Sequence, residues 1–410
     1  MAASLRLAGL LSVLGFAATP AVAQVDFTPV TDPIGNFLTA NPDIPGVSLL
    51  VIDFDGHVVW EQNWGAYDRS TSIPIASATK WYSGALIMSL VDTGHLSLDE
   101  AVSAKLPALN GFDDLRETFT IRQAFSHTAG SFSSSDLIGR DDLTLEEAAA
   151  AIAQLPNLMR NDPGTAYRYG GNSMHLAGRA GEVAGGEPWV DLFAARITEP
   201  LNLPGTAFGA AGTLANPRIA GGAFSSAEDL ASFGLMLALR GRLGETRVLS
   251  TAAADEMLTD QTGFGLPGGA VPRFVPPTLN EYLGYGVGIF ITRRNDAGTP
   301  TEWVSAGAYG TTAWINFETE TIGVFVIEDD LSTVDPYVDD LRDFVQANLR
   351  ARLPGDATGD RRVDLNDFIV LRNHFGDTGD TTFDDGDFNR DGTVDLQDFT
   401  ILRNNFGTVD

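Results

Sequence analysis

The 410-residue sequence contains no cysteine. Disulfides, thiolate nucleophiles and cysteine-ligated zinc are thereby excluded. Lysine is almost missing: Lys80 and Lys105 are the only two, and arginine carries the remaining basic charge. Basic charge as a whole is scarce, with 26 basic against 54 acidic side chains and a net charge of −28. A surface this acidic repels phosphate backbones, which argues against nucleic acid as a partner. The five histidines show no pair at zinc-ligand spacing. Beyond the N-terminus, no apolar run is long and uncharged enough to span a bilayer. What is present suits a folded chain of two or three domains, 44% hydrophobic and 20% charged.

The N-terminus carries Arg6, an apolar run over residues 7–18, and then Ala21-Val22-Ala23. This is the layout of a signal peptide over residues 1–23, cut before Gln24. The expectation is an exported protein, periplasmic or extracellular, with no membrane span after cleavage.

Composition changes near Leu353-Pro354-Gly355. Residues 355–410 hold 13 aspartates against five arginines and contain an internal repeat of period 31. The first copy places Asp356, Thr358, Asp360, Asp364 and Asp367 at loop positions 1, 3, 5, 9 and 12. The second places Asp387, Asn389, Asp391, Asp395 and Asp398 there. Position 7, Arg362 or Thr393, offers a backbone carbonyl. A hard cation such as Ca²⁺ takes six to eight oxygens at this kind of spacing. Arg361 stands at position 6 of the first loop, where glycine is usual, which predicts a weaker first site. Each loop runs into an amphipathic helix, with Phe368, Leu371 and Phe375, then Phe399, Leu402 and Phe406, as the expected core. The segment resembles a type I dockerin, which implies an all-α module with two structural calcium sites and a cohesin-like partner.

Upstream, Pro45-Gly-Val-Ser-Leu-Leu-Val-Ile-Asp53 reads as a strand, Asp55-Gly56 as a tight turn and His57-Val-Val-Trp60 as the return. Residues 73–80 read Ile-Pro-Ile-Ala-Ser-Ala-Thr-Lys and lead into an apolar helix stopped by Asp92-Thr93-Gly94. Ser77 and Lys80 are thus i and i+3 near the start of a buried helix, on one face. A serine hydroxyl is a weak nucleophile until a base removes its proton. A lysine serves as that base when burial lowers its pKa.

The flanking stretches "IPGVSLLVIDFDGHVVW", "IASATKWYSGALIMSLVDTGHLSLDEAVSAKLP", "IRQAFSHTAG" and "GGAFSSAEDLASFG" follow in this order. Together they resemble the serine β-lactamase-like family, in the branch with class C β-lactamases, D-stereospecific peptidases and carboxylesterases. The likeness runs from about Phe27 to Asn348. It implies an α+β fold, an antiparallel sheet flanked by helices, with an α-helical subdomain over roughly residues 98–216. It assigns residues 24–352 to the hydrolase and 355–410 to the dockerin-like module. It also implies Ser77 as nucleophile, with Lys80 and Tyr169 handling protons and no cofactor for catalysis. Tyr167 is the second choice for the tyrosine. The family's asparagine falls on Gly171, so Asn172 is the nearest substitute for a substrate contact. Ser305-Ala306-Gly307 occupies the family's Lys-Thr-Gly position, without the cation. Gly307 admits close backbone approach, and the N–H groups of Ser77 and Ala308 are the expected oxyanion donors. Ser305 can hydrogen-bond a substrate but cannot neutralise a carboxylate. His127, in Ser126-His-Thr-Ala-Gly130, reads as structural.

Three readings follow. The first is an exported serine hydrolase acting on a neutral ester or amide, esterase-like. The second is a β-lactamase or D-Ala-type peptidase. The third is a non-catalytic binding protein tethered through its tail.

Overall fold

The computed structural model describes residues 25–209, 214–263, 273–274, 282–379 and 381–409. The expected signal peptide lies outside the described residues. Seven strands form one antiparallel sheet: β1 (Gly46–Asp53), β2 (Val58–Gly65), β3 (Gly284–Tyr285), β4 (Phe290–Arg294), β5 (Pro300–Ala306), β6 (Gly310–Asn316) and β7 (Thr321–Glu328). Their spatial order is β3-β4-β5-β6-β7-β1-β2. The N-terminal hairpin therefore joins the C-terminal strands, pairing Leu50 with Val324 and Ser48 with Val326. The turn between β1 and β2 uses Gly56 at φ +82°, a left-handed conformation suited to glycine.

Strand alternation sends side chains to two cores. Val47, Leu49 and Val51 meet helices α1 (Thr28–Ala40) and the long C-terminal helix, Leu331–Asn348, through Ile34, Val338 and Leu341. Leu50 and Ile52 face the opposite way, into the main core with Trp81 and Phe233. Trp81 belongs to α2 (Thr79–Asp92), and Phe233 to Ala227–Ala238. Every residue of α2 from Thr79 to Leu90 is buried. A helix apolar all round must lie inside the molecule, and this one does. It ends at Asp92, where the Asp-Thr-Gly stop was read. The described residues of the 98–216 segment carry the helices Ile121–Phe125, Leu145–Ala153 and α3 (Asn172–Gly185), with short strands at Tyr167–Arg168 and Ala207–Phe208. No helix among the described residues is long and apolar enough to cross a membrane.

After the Leu331–Asn348 helix, which we number α4, the chain passes through residues 349–354 into the repeat. Its two helices are α5 (Leu365–His374) and α6 (Leu396–Asn405). Each begins beside the ninth loop residue, Asp364 or Asp395, whose side chain caps it. Leu371 and Leu402 are buried, and Phe368 and Phe399 pack edge to face at 6.2 Å. The expected stripe is corrected at its far end. Phe375 and Phe406 are 50% and 55% exposed. Both sit just past their helices, where the backbone turns out of helical geometry and the 3.6-residue period no longer applies. Val363, Val394, Phe383 and Phe388 complete the core instead.

Candidate active site

Ile73-Pro74 pairs with Phe224-Ser225, and Ile75 N–H donates to the Ala223 carbonyl. The backbone then turns sharply, with Ala76 at φ +44°, a costly conformation for a residue with a Cβ. The Thr79 hydroxyl holds this turn, donating to the Ala76 carbonyl at 2.6 Å and accepting from Ala223 N–H at 3.0 Å. Ser77 is thereby presented at the first turn leading into α2.

Lys80 lies one turn along. Its Nζ is 2.8 Å from Ser77 Oγ and donates to the Ala220 carbonyl at 2.7 Å. The side chain is 3% exposed. Burial pushes its pKa down to about 7, with no carboxylate among the causes. Near neutral pH a good share of Lys80 is thus the free amine, able to accept the Ser77 proton.

Tyr169 covers the same pair. Lys80 Nζ lies 4.5 Å from its ring centroid. The ring stacks on Phe290 at 5.5 Å and leans on His127 at 4.6 Å. Burial raises its phenol pKa, partly offset by hydrogen bonding to Ser77, so the phenol stays protonated. Tyr167, the alternative, packs against His127 and Tyr285 instead. His127 is buried at φ +59°, its Nε2 3.2 Å from the Tyr285 hydroxyl. Burial and the Lys80 charge hold it well below its usual pKa, so it is a neutral packing element, as the sequence indicated.

On the opposite side, β5 brings Ser305 to Gly307 against the turn. A Cβ on Gly307 would lie 2.1 Å from the Ile75 carbonyl, which explains the glycine. Beyond it, Ala308 N–H and Ser77 N–H donate to no acceptor among the described residues. The serine's own N–H and a second N–H just past the neighbouring strand are the kinds of donor an oxyanion site uses.

Two expected substrate contacts are corrected. Ser305 is buried, and its hydroxyl donates to the Ala78 carbonyl at 3.1 Å, fastening β5 to the nucleophile turn. Asn172 is fully buried. Its Oδ1 accepts from the N–H and hydroxyl of Ser135, and its Nδ2 donates to the Phe132 carbonyl. Its amide is spent on the 132–135 loop. That loop crosses so tightly that a Cβ on Gly170 would lie 1.8 Å from the Ser133 carbonyl. Sequence reading missed the Ala220 carbonyl as a lysine acceptor, because a backbone group leaves no residue signature. The following Gly221-Gly222 pair was its one hint of close backbone approach.

In the C-terminal module, Asp356, Asp367, Asp387 and Asp398 are buried. Asp387 N-terminally and Asp398 C-terminally bracket the second loop, accepting backbone N–H bonds from Gly392, Asn389 and Asp395. Burial and the neighbouring Asp398 and Asp391 push the Asp387 pKa up to about 6. Asp387 and Asp398 form no ion pair with a cationic side chain among the described residues, and carboxylates crowded in this way are a donor set that fits a hard divalent cation.

Residues 34–348 match the family described as Beta-lactamase, and residues 354–407 match the Dockerin type I domain. A stretch of 171 residues is 32% identical to penicillin-binding protein 4 of Amycolatopsis lactamdurans, covering 39% of this chain and 44% of that protein. The chain spans less than half the length of that relative. Among solved structures, a candidate β-lactamase from Bacteroides dorei DSM 17855 superposes with a TM-score of 0.65 at 26% identity, over 77% of this chain and 98% of its own. The hydrolase EstCE1 superposes at 0.62 and 20% identity, over 78% and 98%, a likeness of fold.

Proposed function

This chain belongs to the β-lactamase family of hydrolases and carries a type I dockerin domain, and from that premise we propose an exported serine hydrolase that forms a covalent acyl-enzyme on a neutral ester or amide. The observation that carries the reading is the 2.8 Å contact between Ser77 Oγ and a buried lysine whose pKa is brought to about 7. Ser77 Oγ attacks the substrate carbonyl as Lys80 Nζ takes its proton. The oxyanion is received by the N–H groups of Ser77 and Ala308. Tyr169, kept as a phenol, passes a proton to the departing oxygen or nitrogen. The Lys80 ammonium returns a proton to Tyr169, and water then attacks the acyl-serine as Lys80 takes its proton and passes it to Ser77 Oγ, which departs as the free hydroxyl.

Two features support a neutral substrate, and an ester above an amide. Ser305 brings no positive charge to the strand, so a substrate carboxylate finds no counter-ion there. Gly171 has no side chain and the Asn172 amide is engaged by Ser135 and Phe132, so neither is offered to a substrate N–H.

The hydrolase occupies residues 24–352 after signal cleavage, and the dockerin domain residues 355–410. The dockerin supports export and a cohesin-like partner. Its loops would hold two structural Ca²⁺ ions, through Asp356, Thr358, Asp360, Arg362 carbonyl, Asp364 and Asp367, and through Asp387, Asn389, Asp391, Thr393 carbonyl, Asp395 and Asp398. Bound there, the cation neutralises the clustered carboxylates and fixes the loops.

The test is a panel of p-nitrophenyl esters and nitrocefin, run on the wild type and Ser77→Ala. Ester turnover falling by roughly 10³-fold or more in Ser77→Ala is expected, since nucleophile removal has effects of that order. Preferential nitrocefin turnover would move the reading to a β-lactamase. Equal rates in both proteins would leave a binding protein.

A further inference from the structure

The two copies of the calcium repeat differ at two loop positions in a reciprocal way. At position 4 the first copy has Gly359 and the second Arg390; at position 6 the first has Arg361 and the second Gly392. The second arrangement meets the turns at the edge of the hydrolase sheet, whereas Arg361 of the first donates to the Ala351 carbonyl at 3.4 Å. Arg390 Nη1 and Nη2 reach both carboxylate oxygens of Glu320 at 3.1 and 2.9 Å, and its Nε lies 3.3 Å from Asp55 Oδ1. Asp55 is in the β1–β2 turn and Glu320 in the β6–β7 turn, and these turns are joined by Phe54 N–H donating to the Glu320 carbonyl. The Arg390 side chain is 14% exposed and that of Asp55 is 2% exposed. A paired, forked contact this well covered exceeds the usual surface ion pair.

The glycine at position 6 makes room for a second arginine. Arg242 of the hydrolase domain donates to the carbonyls of Gly379 and Arg390 at 2.9 and 3.2 Å. A Cβ on Gly392 would come within 2.5 Å of that guanidinium. Arg352 adds a third tie. It lies 3.5 Å from Asp55, pairs with Asp384, and donates to the Asp356 and Ala357 carbonyls at 3.1 Å. None of these contacts involves Ser77, Lys80 or Tyr169.

We propose that the second calcium loop is also a docking surface for the hydrolase domain of the same chain, clamped by Arg390 between Asp55 and Glu320, and that cation binding in that loop and seating of the module form one linked equilibrium. Arg390 lies inside the Asp387–Asp398 loop, flanked by Asn389 and Asp391. Its backbone, at φ +53°, is set by the same loop closure that gathers the carboxylates. A cation that orders the loop therefore orders the arginine, and by reciprocity a seated arginine favours the cation. The calcium half rests on the reading of the loops given above; the docking half does not.

Glu320→Ala separates the two, because Glu320 belongs to the hydrolase domain and ligates nothing in the loop. Calcium titration calorimetry and small-angle X-ray scattering on the full chain are the measurements, with Arg390→Ala as the second variant. In both variants one of two calcium sites is expected to weaken by roughly tenfold, a typical coupling. The scattering radius is expected to grow, while p-nitrophenyl ester turnover stays at the wild-type level. Unchanged calcium affinities overturn the linkage, and an unchanged scattering radius overturns the docking. A wild type that binds no calcium also overturns the linkage, and scattering then decides the docking alone.

Discussion

A lysine surrounded by backbone carbonyls and aromatic carbon loses most of its hydration, and Lys80 is in that position. Its pKa of about 7 in the folded state is far below the ordinary lysine value of 10.5. The unfolded chain therefore binds more protons between those values, so the lysine's contribution to stability improves as pH rises from about 7 towards 10.5 and is unfavourable below. Lys80→Met is expected to abolish ester turnover yet raise the melting temperature at pH 7 by roughly 1–2 °C for each kcal/mol gained in a domain of this size. The gain should shrink towards pH 10. Thermal melts of both proteins across this range check it, and a variant less stable than wild type at pH 7 would contradict it. The sequence singled out Ser77, Lys80 and Tyr169 by spacing and flanking stretches, and the structure brings the three side chains together. Asn172 and Ser305 were misread because a polar side chain in the right stretch can turn inward, and its hydrogen-bond partners, Ser135 and Ala78, come from distant segments.

At the scale of elements, the site depends on how closely β5 approaches the turn ahead of α2. Gly307 touches the Ile75 carbonyl with no room for a methyl group, whereas a Cβ at Gly221 would meet nothing nearer than 3.6 Å. Gly307→Ala is expected to push Ala308 N–H away from Ser77 and lower kcat by roughly 10² or more, the effect of losing an oxyanion donor. Gly221→Ala should leave kcat near wild type. Steady-state kinetics on the two variants decide the matter, and a fully active Gly307→Ala would remove Ala308 from the oxyanion site. The buried α2 helix and the β1–β2 hairpin followed directly from apolar runs and turn residues. In the tail, the period-3.6 stripe placed Leu371 and Leu402 correctly but overran the helix ends at Phe375 and Phe406. Periodicity describes a helix interior and does not report where the backbone leaves it.

For the molecule as a whole, the sheet order β3-β4-β5-β6-β7-β1-β2 brings chain segments more than 200 residues apart into one layer. It also sets the β1–β2 and β6–β7 turns side by side, where Arg390 reaches both. The two-part organisation was legible from the composition change near Pro354. The contact between the parts was not, since Arg390 looks like any loop residue until Asp55 and Glu320 are seen together. The functional account stands on Ser77 being activated by the neutral form of Lys80. Its most direct test is the rate at which a fluorophosphonate labels the protein as a function of pH, with the modified peptide identified by mass spectrometry. The account predicts one adduct, on Ser77, with a rate rising through about pH 7 and lost in Lys80→Met. A pH-independent rate, an adduct on another residue, or an unlabelled Ser77 would contradict it.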